Sequence, residues 1–112
     1  MNKFQEKLVS GGYCDERGAG FCATAMALPG GEYGVVALCV KESRLYLYDI
    51  DMRNNMGELL YTADLKKIEN LKIKTGLLSQ QLRFDYDGFT YKFTNFVGVK
   101  PALKVIEEEA NR

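Results

Sequence analysis

A chain of 112 residues with 15 lysines plus arginines against 15 aspartates plus glutamates carries no formal net charge. That balance argues against a general nucleic-acid binder, which concentrates positive charge, and the complete lack of histidine removes the commonest general acid–base group and metal ligand. The length suits one domain, 1–112, which buries roughly two-thirds of its unfolded surface without a disulfide or metal staple.

In chain order, residues 3–9 place Phe4 and Leu8 four apart, enough for one or two helical turns ended by Gly11-Gly12. The same stretch breaks its apolar residues with charge, unlike a signal peptide, and no run approaches the roughly 20 apolar residues of a membrane helix. A cytoplasmic protein is expected. Residues 1–19 form a helix-and-loop segment and 20–95 form strands. FCATAMAL at 21–28 has helix-favouring alanines, but its length and the following Pro29-Gly30-Gly31 suit a strand better. Cys14, Cys22 and Cys39 form no CxxC unit and cannot all pair within one chain, so reduced thiols are expected.

Tyr33–Val40 is apolar on both faces, the pattern of a strand covered on both sides. After a turn at 41–44, LYLYDID at 45–51 alternates tyrosine with leucine. A polar loop at 53–57 leads to a short strand at 58–62, and 63–67 is a corner or single helical turn. Ile68–Lys74 ends in alternation, with Leu71 and Ile73 on one face and Lys72 and Lys74 on the other. A connection opening on Thr75-Gly76 enters LRFDYDGFTYKF, residues 82–93. There Asp87-Gly88 between two alternating runs is a hairpin signal, because a type I′ turn needs positive φ at both central positions. The turn sets Tyr86 opposite Phe89, Phe84 opposite Tyr91 and Leu82 opposite Phe93. Finally the period changes to that of a helix over 98–110, with Pro101 in its first turn and a stripe of Leu103, Ile106 and Ala110. Glu107 to Glu109 sit at the unfavourable end of the dipole, so fraying is expected there.

Three stretches together resemble the bacterial PH-like domains, relatives of the pleckstrin-homology and GRAM superfold. They are GVVALCVKESRLYLYDID, then ADLKKIENLKIKTGLLSQQLRF, then the aromatic hairpin with its following helix, roughly residues 33–110. The resemblance implies a mainly β, PH-like barrel of two near-orthogonal antiparallel sheets, about seven strands, capped by the C-terminal helix. It also implies a binding module and no enzyme. Phosphoinositide-binding relatives use basic residues in the first strand–strand loop; the matching loop here, Leu28–Glu32, holds no lysine or arginine.

Chemistry-bearing patterns are sparse, and no cofactor is expected. Cys14-Asp15-Glu16 offers a thiol beside carboxylates, which raise its pKa and leave it inert. Asp49 and Asp51 share a strand face, but a calcium ion wants six to eight oxygens. Gly18–Phe21, GAGF, lacks the Gly-Lys-Ser/Thr of a phosphate loop. If 68–74 pairs antiparallel with 80–86 so that apolar faces match, Lys72 lies opposite Arg83, and the hairpin sets Arg83 opposite Lys92. Three cations then form a row at about 4.8 Å per strand, with Lys74 one step along. Such a row binds an anion or acidic partner, or is a solvated face. Alone it gives only millimolar-scale affinity for an anionic membrane, at about 1 kcal/mol per cation. Tyr46, Tyr48 and Ile50 share one side of their strand as a surplus apolar face, to be covered by the segment around Phe4 and Leu8 or by another chain. Protein interaction or self-assembly through that face is the favoured expectation, and weak binding of an anionic lipid through the basic row is the alternative.

Overall fold

A computed structural model describes residues 3–17 and 19–112. Met1, Asn2 and Gly18, which fall within the expected N-terminal helix-and-loop segment and the GAGF run, lie outside the described residues. Among the described residues, the order is helix α1 (Lys3–Ser10), strands β1 (Gly20–Ala27), β2 (Gly34–Lys41), β3 (Arg44–Ile50) and β4 (Met56–Asp64), a 3-10 turn (Leu65–Lys67), β5 (Glu69–Thr75), β6 (Gln80–Tyr86), β7 (Phe89–Thr94), and helix α2 (Lys100–Ala110). Residues 20–27 are a strand despite their alanines. Small side chains let Ala23 and Ala25 sit buried on the inner face beside Phe21, so packing overrides helix propensity.

All pairings are antiparallel, in the order β4-β3-β2-β1-β7-β6-β5. The architecture is therefore mainly β with a C-terminal helix, as expected. The expected division into two separate sheets closed as a barrel is corrected: one continuous sheet runs from β4 to β5, and those two edges do not pair. The join is β1, whose residues 20–25 pair with β2 while Thr24, Ala25 and Ala27 pair with Thr94, Phe93 and Lys92 of β7. A bulge at Met26 shifts the register, and such bulges bend a strand and increase its twist.

Both halves bury their inner faces in one core, with Leu38, Leu45 and Leu47 from one side and Leu82, Phe84 and Phe93 from the other. Helix α2 completes it through Ala102, Leu103, Val105 and Ile106. The stripe is wider than the expected Leu103, Ile106 and Ala110, and it includes Glu109, only 2% exposed. That glutamate corrects the expectation of fraying. It accepts hydrogen bonds from Ser43 Oγ (2.7 Å) and from Arg17 Nη1 (2.8 Å), the latter also an ion pair. The helix runs on through Ala110, and Asn111 donates its N–H to the carbonyl of Glu107.

A second, smaller cluster lies on the outer face. Leu8 of α1 is fully buried with Cys14 and Cys39, and Phe4, Val9, Tyr13, Tyr46, Tyr48 and Met56 pack around them. Gly20 makes this approach possible, since a Cβ there would stand 2.4 Å from Leu8 Cδ1. Most of the apolar outer face of β2 and β3 is therefore covered from within the chain, Val35 at its far end staying exposed.

Candidate functional site

The hairpin register is as the alternation dictates. Leu82 pairs with Phe93, Phe84 with Tyr91 and Tyr86 with Phe89, across a turn with φ of 51° at Asp87 and 79° at Gly88. Phe84 is stacked on Tyr91 at 5.0 Å between centroids. With the inner residues committed to the core, every second residue of β5, β6 and β7 must point outward.

That outward face is layered. The layer nearest the β5–β6 connection holds Lys74, Gln81 on β6 and Thr94 on β7. The next holds Lys72 opposite Arg83, and Arg83 opposite Lys92. Beyond them lies Asp85, paired with Thr90 on β7 and with Glu69 on β5. A bulge between Glu69 and Lys72, with Asn70 at φ 56°, brings Lys72 to its place beside Arg83. The basic row thus exists, with Lys72, Lys74 and Lys92 exposed and Arg83 half-buried.

Among the described residues, no hydrogen bond or ion pair engages any of the four cations. The carboxylate next along β6 makes its hydrogen bonds elsewhere. Asp85 accepts from Thr90 Oγ1 (2.6 Å) and Asn70 Nδ2 (2.8 Å). Those bonds, with a smaller contribution from the charge of Arg83, hold its carboxyl below the usual 3.8. Like charges set side by side on a sheet are mildly destabilising, and among the described residues only the charge of Asp85, beside Arg83, offsets them.

Tyr46, Tyr48 and Ile50 do share one side of β3, all half-buried. Tyr13 meets Tyr48 edge to face, 5.1 Å between centroids at 85°, and α1 lies over the pair. The face expected to take a partner is thus largely occupied by the N-terminal helix. What stays open nearby is smaller: Val35 and Met52, 55% and 100% exposed, share a hollow with Ile50.

The remaining candidates have structural duties. Asp51 organises its loop by accepting from the N–H groups of Arg53 (2.8 Å) and Asn55 (2.9 Å). Cys14 is buried, and burial first, then the charge of Asp15, pushes its thiol up. Burial pushes Cys39 up to about 12, and the half-buried Cys22 is raised by the same cause. In the Leu28–Glu32 loop, the Tyr61 hydroxyl accepts from Gly30 N–H and donates to Glu32. Among the described residues no three Cys, Asp or Glu side chains gather as a metal site, and no helix is long and apolar enough to cross a membrane.

No family model matches this chain. No curated protein matches its sequence either. Among solved structures it is similar to Inner Membrane Complex sub-compartment protein 3 from Toxoplasma gondii, at 12% identity and a TM-score of 0.48, with 99% of this chain and 86% of that one covered.

One feature of the basic face escaped sequence reasoning. Leu77 and Leu78, in the connection between Lys74 and Gln81, are 89% and 102% exposed. The available signal was two adjacent apolar residues between Gly76 and Ser79, in a segment both of whose flanking strands were already assigned.

Proposed function

We propose that this protein is a non-catalytic binding module of the PH-like kind, and that it binds an anionic partner with the outer face of β5, β6 and β7. One observation carries the proposal: Lys72, Arg83 and Lys92 stand in a row fixed by main-chain pairing, Lys74 lies beside it, and among the described residues no side-chain hydrogen bond or ion pair engages them, Asp85 and Arg83 interacting only through charge. A bound anion relieves their mutual repulsion. The lack of histidine and the three buried or half-buried thiols with raised pKa support the absence of catalysis. Unpaired thiols also support a reducing, cytoplasmic setting.

Four exposed or half-exposed cations at about 1 kcal/mol each give roughly millimolar affinity, and screening weakens it at high salt. Titrating the protein with inorganic polyphosphate, followed by NMR shifts of β5–β7 amides, tests this. Saturable shifts centred on Lys72, Arg83 and Lys92, abolished in Lys72→Glu/Arg83→Glu, are expected. Shifts spread over all surface lysines, or none, would sink it.

A second reading, a protein partner or a second copy of the chain, is favoured by the Val35, Ile50 and Met52 patch left uncovered at the edge of α1.

A further inference from the structure

We infer that the β5–β6 connection docks this domain on anionic membranes, with Leu77 and Leu78 entering the bilayer interface while Lys72, Lys74, Arg83 and Lys92 meet lipid phosphates. The inference rests on the proposed anion-binding role of the same face and names its partner.

Three observations converge on it. First, the leucines are held out on a braced loop. Gln80 Nε2 donates to the carbonyls of Gly76 (2.8 Å) and Leu77 (3.2 Å), and Thr94 Oγ1 donates to the carbonyl of Gln80 (2.8 Å). Two adjacent leucines, 89% and 102% exposed, therefore stand in water on a connection tied to the sheet. Second, charge is graded along the strands. The cations occupy the two layers nearest that loop, and the carboxylates of Asp85 and Glu69 occupy the far layer. At about 3.3 Å per residue, the cation row lies only about 7 Å behind Lys74's layer, a separation shorter than the roughly 8 Å Debye length at physiological salt. Third, Lys74 and Lys92 flank a hollow of about 370 Å³ with Ser79, Gln81, Thr94 and the half-exposed Met26. Its mixed lining, with Met26 and Phe93 beside Ser79, Gln81 and Thr94, and its cationic rim suit a phosphate headgroup with the start of its acyl chain.

A membrane fits these features better than an acidic protein. Leucines exposed this fully have no surrounding groove of their own to register with a shaped pocket. A fluid apolar layer bordered by phosphates needs no such register. The leucines also supply what the cations lack, because stable membrane attachment takes two signals and a basic patch is only one.

The test uses the full chain in co-sedimentation with phosphatidylcholine vesicles, with and without phosphatidylserine, at low and high salt. Binding is expected only with phosphatidylserine and is expected to weaken with salt. Leu77→Ser/Leu78→Ser should lower vesicle partitioning about ten- to hundredfold while keeping polyphosphate binding. Lys72→Glu/Arg83→Glu should lose both. Because the chain has no tryptophan, Leu78→Trp adds a direct reporter, whose emission should shift to the blue on anionic vesicles. Unaltered vesicle binding by the serine variant, or unshifted indole emission from vesicle-bound Leu78→Trp protein, overturns the inference. Polyphosphate binding without vesicle binding overturns it too and leaves the anion-binding face standing. Binding of neither probe removes both.

Discussion

At the scale of single residues, Glu109 shows how one buried charge ties distant parts of the chain together. Its carboxylate joins α2 to Ser43 in the β2–β3 turn and to Arg17 in the segment before β1. The bond from Ser43 is the largest influence, followed by that from Arg17, and together they hold Glu109 below its ordinary 4.5. The folded state therefore binds its proton less readily than the unfolded chain. The stabilisation is complete above the ordinary value and disappears as pH falls through the lowered one. Glu109→Ala should cost about 1–3 kcal/mol, because it leaves polar partners unsatisfied, which corresponds to roughly 4–8 °C in melting temperature per kcal/mol. Glu109→Gln should flatten the acid side of the stability curve below about pH 4.5. A melting series from neutral pH to about pH 3 checks both, and a Glu109→Gln profile parallel to the parent's would refute the linkage. Nothing local in the sequence announces this role. A third consecutive glutamate near a helix end looks solvated until the turn carrying Ser43 is brought against it by the sheet.

At the scale of elements, turns and registers separate what was legible from what was not. Asp87-Gly88 was legible because its chemistry is local, and it aligns the facing side chains of β6 and β7 through parity alone. The cation row followed from that parity plus one apolar match, Ile73 with Leu82. The bulges at Met26 and near Asn70 were not legible, since an extra residue is accommodated by partner strands distant in sequence. The continuous sheet was missed for the same reason, because it depends on β1 pairing with β7. The β2–β3 turn is a further case: Glu42 and Ser43 adopt φ of 56° and 74° with no glycine between the strands. Left-handed conformations cost roughly 1 kcal/mol for such residues, and asparagine tolerates them better. Glu42→Asn, at an exposed position, should therefore raise stability by about 0.5–1 kcal/mol. Chemical denaturation would read this as a higher midpoint at unchanged slope, and a lower midpoint would mean that Glu42 stabilises the turn in another way.

At the scale of the whole molecule, the two outer faces of the sheet have different fates. That of β5–β7 is polar and cationic and stays open. That of β2 and β3 is apolar enough to demand a cover, and sequence alone left two coverings possible: the segment around Phe4 and Leu8, or another chain. Leu8 packed with Cys14 and Cys39 beneath α1 shows the internal cover in place. Self-assembly through Tyr46 and Tyr48 then requires α1 to leave. The full chain should accordingly remain monomeric in light scattering, while Leu8→Asp, which cannot stay buried against Cys39 without a partner for its charge, should loosen α1. The uncovered strip of Cys39, Tyr46 and Tyr48 should then drive concentration-dependent association. Gly20→Val provides a second probe of the same contact, because a side chain at Gly20 meets Leu8 at once. A Leu8→Asp protein that is folded by its β signal in circular dichroism, yet monomeric at high concentration, would show that the strip does not self-associate. A full chain that dimerises, and loses the dimer in Met52→Lys but not in Lys72→Glu/Arg83→Glu, would instead give the small Val35, Ile50 and Met52 patch the role of a partner surface.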